Sequence, residues 1–176
     1  HLDETIGFLK ETQTLLDRLR AQGTGQQLNR HGRHTYGMLI AAYLRKGDVQ
    51  QAITIADQAL RIRSLRSDPL LRNLRAIADF RNGNLEAAIA AVQQTADESR
   101  SVPENASTLF LLASLLRKSG ARTTFQVSPP RESDEFRLYL WAAQGTGLLE
   151  EAPASDQGKG ERTDREQRQP SQLAEL

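Results

Sequence analysis

The apolar residues of this chain recur at three- and four-residue intervals, the spacing that lines one face of an α-helix. Over residues 2–22, Leu2, Ile6, Leu9 and Leu16 combine with Phe8, Leu15 and Leu19 into a broad apolar face. Asp3 and Glu4 stand at the start of that stretch and Arg18 and Arg20 near its end, as the helix dipole favours. Gly23-Thr24-Gly25 is expected to end it, so residues 1–30 read as an N-terminal amphipathic capping helix. Two helix pairs are expected next, about 34–46 with 48–63 and 69–82 with 84–98. Ser133-Asp134-Glu135 opens a shorter helix, with Phe136, Tyr139, Leu140 and Ala143 at helical spacing and Trp141 beside them. From Glu151 the chain turns to Gly, Ser, Gln, Pro and mixed charge, with hardly an apolar residue before Leu173. Such a segment cannot offset its ordering entropy, and 151–176 is expected to be a disordered tail. Valine and isoleucine are scattered singly, and no run of period-2 alternation marks a strand. The pattern is that of an all-α protein.

The helices repeat. Tyr43-Leu-Arg-Lys-Gly47-Asp-Val-Gln-Gln-Ala52-Ile53 returns as Asp79-Phe-Arg-Asn-Gly83-Asn-Leu-Glu-Ala-Ala88-Ile89, the glycines and the alanines each 36 positions apart. Leu116-Arg-Lys-Ser-Gly120 is a third, weaker copy, 37 positions beyond Gly83. Each glycine falls where a helix must stop, in the left-handed conformation that costs glycine no Cβ strain. Asp48 and Asn84 follow and are expected to cap the next helix. Ala52 and Ala88 then sit one turn in, where small side chains let two helices approach closely.

These residues resemble the tetratricopeptide repeat family, whose 34-residue helix–turn–helix unit carries W-x2-L-G-x2-Y followed by G, A, F and A. In residues 33–66, Tyr36, Leu39, Tyr43, Gly47, Ala52 and Ala59 fall on the family's positions, while Ile40 and Ala56 depart from it. Residues 69–102 keep Gly83 and Ala88 but put Asp79 where an aromatic is expected. Residues 106–120 match a first helix through Leu109, Leu112, Ala113, Leu116 and Gly120. The partner helix then fails, with Phe125 in place of the small alanine and Pro129-Pro130 intervening. The resemblance covers about 33–120. It implies a short right-handed α-solenoid of helix–turn–helix repeats with capping helices; the helix after Ser133, within an otherwise irregular 121–150, stands in for the missing partner of the third unit.

Composition narrows the chemistry. With 23 basic and 22 acidic residues the net charge is +1, so no global field points to nucleic acid or a membrane surface. Arg61, Arg63, Arg66, Arg72 and Arg75 cluster at the junction of the first two units without aromatic interleaving, and read as solvated arginines. No apolar stretch approaches the roughly 20 residues that span a bilayer. The 176 residues include no cysteine, hence no disulfide, thiolate zinc site or thiol nucleophile. The cytoplasm is the expected compartment; a periplasmic or secreted mature form fits the same composition. The chain opens at His1, not Met, and is expected to be a fragment or a processed form. Hydrolase, metalloprotease and phosphate-loop motifs do not occur. His31 and His34 share a helical face without a third ligand, so no metal, cofactor or catalytic residue is expected.

The resemblance implies a concave groove lined by the first helix of each pair. Its candidate partner-binding residues are Leu44, Arg45, Asn73, Ile77, Phe80, Arg81, Phe110, Ser114, Arg117 and Lys118. Arg45, Arg81 and Lys118 form one basic column beside large apolar residues, which suits a protein or peptide of acidic, amphipathic character. Each of these cations also sits in the last turn before a glycine, where the helix dipole alone favours it, and both roles stay open. The lysine–asparagine clamp that some relatives close on a C-terminal carboxylate is not reproduced. The expected function is an adaptor or scaffold that binds a partner without catalysis. A secretion chaperone masking one client, or an interaction fragment of a larger enzyme, are the alternatives. The N-terminal helix is a second candidate surface, for docking or homo-oligomerisation.

Overall fold

The computed structural model describes residues 1–22, 25–99, 105–121, 130 and 133–149. Seven α-helices account for most of them, and no strand occurs among the described residues. In chain order they are α1 (Leu2–Ala21), α2 (Gly25–Lys46), α3 (Val49–Arg61), α4 (Pro69–Arg81), α5 (Leu85–Glu98), α6 (Asn105–Lys118) and α7 (Asp134–Ala143). The all-α class read from the pattern is the class observed. One boundary differs. Gly25 opens α2 and does not close α1, so α2 starts well before residue 34 and residues 1–30 are shared between two helices. Gly23, Thr24, Phe125, Pro129 and the tail 151–176 lie outside the described residues.

The repeated glycines do the same work three times. Gly47, Gly83 and Gly120 have φ of 87°, 85° and 77°. Around each, the chain closes the helix with the same pair of bonds. The glycine N–H donates to the carbonyl three residues back (Leu44, Phe80, Arg117), and the next N–H reaches back five (Tyr43, Asp79, Leu116). The helix starts are less uniform. Asp48 accepts from the Gln51 N–H at 3.2 Å and Asp68, ahead of Pro69, from the Leu71 N–H at 3.2 Å. Asn84 stands at the same place before α5 but its side chain makes no cap bond, contrary to expectation. Asp48→Ala should therefore cost about 1 kcal/mol and Asn84→Ala only a few tenths, a contrast that urea melts of the two variants can read.

Each helix from α1 to α6 packs on its neighbours in the chain, and α2 on α4 and α4 on α6 as well. Ala52, Ala56, Ala59 and Ala88 are fully buried, the close approach that the small stripe required. Asp79, at the repeat position where an aromatic is expected, is buried as well, and burial raises its pKa while Arg75 opposes that shift. Arg75 spans Asp57 on α3 at 3.2 Å and Asp79 on α4 at 2.5 Å. Arg72 donates to the Arg66 carbonyl at 3.0 Å and pairs with Glu98. Two members of the arginine cluster are thus ties between helices, while Arg61, Arg63 and Arg66 are exposed.

The last helix does not take the place expected for it. α7 packs across α2 and α4 and meets α6 through Phe136, instead of lying beside α6 as its return helix.

Candidate functional site

Of the residues expected to line an open groove, Asn73, Phe110 and Arg81 meet α7 of the same chain. Ser133 starts that helix by accepting from the Phe136 N–H at 3.1 Å. The helical spacing then turns Phe136, Tyr139 and Ala143 inward. Phe136 meets Phe110 of α6 edge-to-face, centroids 5.5 Å apart. Leu138 lies over Gly37 of α2; a Cβ there would come within 3.2 Å of its Cδ2 and 3.3 Å of Leu70 Cδ2. The Tyr139 hydroxyl accepts from Asn73 Nδ2 of α4 at 3.0 Å, and the same nitrogen donates to Thr108 Oγ1 of α6 at 2.8 Å. Burial pushes the Tyr139 pKa far up, so the phenol stays neutral.

This placement corrects the groove. Leu44, Asn73, Ile77, Phe110 and Ser114 are buried, Asn73 and Phe110 in contact with α7. Phe80 and Arg81 are half-buried, leaving Arg45, Arg117 and Lys118 exposed. The basic column divides in the same way. Arg81 donates to the carbonyl oxygens of Leu44 at 2.6 Å and Ala142 at 3.2 Å, near the negative ends of α2 and α7. Desolvation, and then Arg45, lower its pKa. Arg117 donates to Ser114 Oγ at 3.1 Å. Arg81 thus ties the ends of α2 and α7 to α4, a contact that neither a groove rim nor the cap of its own helix anticipates.

Seating α7 creates a different concavity. Along its flank facing α2 runs a cleft of about 790 Å³. Met38, Leu70, Leu138 and Trp141 give it an apolar end, and Arg30, His31 and His34 of α2 stand over the other. Asp134, Glu135 and Arg137 of α7 form the facing wall. Arg33 fixes the two walls, with Nε 2.8 Å from Asp68 and a terminal nitrogen 3.2 Å from Glu135. Its charge is thereby spent on structure, whereas Arg30, His31 and His34 are exposed. The histidine pair was visible in the sequence, but half of the site it belongs to lies a hundred residues away. Among the described residues no group of three or more His, Cys, Asp or Glu is placed to hold a metal ion, and no helix is long and apolar enough to cross a membrane.

Neither a protein-family model, nor a curated protein, nor a solved structure matches this chain.

Proposed function

We propose that this chain is a non-catalytic protein-binding module, a short tetratricopeptide-like solenoid that docks a partner segment in the cleft between α2 and α7. The cleft itself carries the reading: apolar residues sit beside a charged rim, with Arg30, His31 and His34 on the α2 side and Asp134, Glu135 and Arg137 on the α7 side, the anatomy of a peptide-recognition surface. The partner segment pairs a large apolar side chain, set against Met38 and Trp141, with an acidic residue under Arg30 and His34. The helical repeat supports the same class, because stacked hairpins are stabilised by neighbour contacts and leave broad faces free for binding.

The test is titration of a co-purified partner, identified by mass spectrometry, at two ionic strengths. Arg30→Glu should weaken binding about tenfold or more and flatten its salt dependence, since a like charge then faces the acidic residue. Trp141→Ala should weaken it comparably and leave the salt dependence intact, because apolar contact alone is lost. Arg45→Glu and Lys118→Glu, away from the cleft, should bind like wild type. The reverse result, with loss at Arg45 and Lys118 and none at Arg30 and Trp141, would move the site to the outer rim and sink this proposal.

A further inference from the structure

The first helix carries two apolar seams, one packed on α2 and one whose Phe8 and Leu15 are exposed. Positions 2, 6, 9, 13, 16 and 20 face α2; Ile6, Leu9 and Leu16 there are buried. Positions 5, 8, 12, 15, 19 and 22 repeat the same alternating three- and four-residue spacing about a quarter-turn or more round the helix: Thr5, Phe8, Thr12, Leu15, Leu19 and Gln22. Phe8 is 69 % exposed and Leu15 57 %, and among the described residues they are the large hydrophobic side chains left exposed. Leu19 is half-buried. The two threonine hydroxyls of the seam are already satisfied by backbone carbonyls. Thr5 Oγ1 donates to the His1 carbonyl at 3.0 Å and Thr12 Oγ1 to the Phe8 carbonyl at 2.9 Å, so covering them strands no hydroxyl.

We infer that this second seam joins two copies of the chain as an antiparallel homodimer. The argument for a second copy is self-complementarity. With a two-fold axis between residues 13 and 14, Phe8 falls on Leu19 of the second copy, Thr12 on Leu15, and Thr5 on Gln22, each layer occurring twice. The flanking row is Glu4, Glu11 and Arg18. In this register Glu11 stands beside Arg18 of the second copy, again twice, and both are exposed on the isolated chain. A parallel pair sets Glu11 level with no opposite charge. The seam is short, so the dimer is weak, with Kd on the order of 10–100 µM.

Sedimentation equilibrium of the full chain across that range should show a monomer–dimer equilibrium. Phe8→Glu and Leu15→Glu should each raise Kd at least about tenfold while circular dichroism stays unchanged, since both side chains are exposed in the monomer. The orientation is read separately by charge reversal. Glu11→Arg and Arg18→Glu should each self-associate more weakly than wild type, and an equimolar mixture should form the heterodimer, whose four facing charges are all opposite. A chain that stays monomeric to about 1 mM overturns the inference. So does a dimer indifferent to Phe8→Glu, which uses another face. If Phe8→Glu loses helicity, the mixing experiment decides alone: failure of the two charge variants to pair preferentially rejects the antiparallel seam.

Discussion

Ala88→Arg should unfold the protein or lower its melting temperature by on the order of 10–20 °C. Ala88 is 0 % exposed on α5, which packs against α4 and α6. An arginine there must push the packed helices apart and take its charge out of water. Overpacking costs about 1–3 kcal/mol, and an uncompensated buried charge adds several more. Against a total stability of about 5–15 kcal/mol, that is a large share. Ala87→Arg is the control: the same substitution one residue earlier on the same helix, at an exposed position, should change stability by less than about 0.5 kcal/mol. Thermal melts followed at 222 nm compare the two. Equal effects at 87 and 88 would show that the alanine spacing does not set the helix contact.

That register was legible because glycine, alanine and capping residues act locally. A left-handed glycine ends a helix wherever it stands, and the 36-residue recurrence of Gly47 and Gly83 therefore dated the turns before any tertiary contact was known. Where α7 would go was not legible in the same way. Its inward face, Phe136 and Tyr139, announces an amphipathic helix but not the surface that receives it. That surface is assembled from Gly37, Asn73, Thr108 and Phe110, on three helices far apart in sequence. One signal was available. Asn73 lies mid-helix among Leu70, Leu71, Leu74 and Ile77, and a polar side chain at such a position asks for a buried partner. An open groove would leave Asn73 to another protein; its partners are Thr108 and Tyr139 of the same chain. The consequence for the site is direct. Arg81 of the expected column is taken up by the ends of α2 and α7, and an accessible concavity lies on the flank of α7.

Tyr139→Ala should cost about 3–5 kcal/mol and loosen α7 from the body. The ring is buried, so its removal leaves a cavity as well as a lost transfer term. Its hydroxyl also holds one of the two protons of Asn73 Nδ2, on a side chain that is 0 % exposed and whose Oδ1 has no hydrogen-bond partner among the described residues. Tyr139→Phe isolates that second contribution and should cost about 1–2 kcal/mol. Adding Asn73→Leu and Thr108→Val to Tyr139→Phe should cost less than the sum of the three single changes, because partners removed together leave no stranded polar group. A strictly additive triple variant would mean that the hydroxyls and the amide are not coupled. Hydrogen exchange locates the effect: amides of 134–143 should lose protection in Tyr139→Ala while those of α3 and α5 keep most of theirs. The pH dependence supplies an independent sign. Burial raises the Tyr139 pKa, so the folded state holds the phenolic proton more tightly than the unfolded chain does. The stability this provides is complete below the unfolded value of about 10 and is lost as pH rises above it. Wild type should therefore lose stability steeply above about pH 10, and Tyr139→Phe less steeply, with the remaining slope carried in part by Tyr36, whose pKa burial also raises. Equal alkaline slopes in the two proteins would place the Tyr139 hydroxyl in solvent, and α7 off the surface formed by α2, α4 and α6.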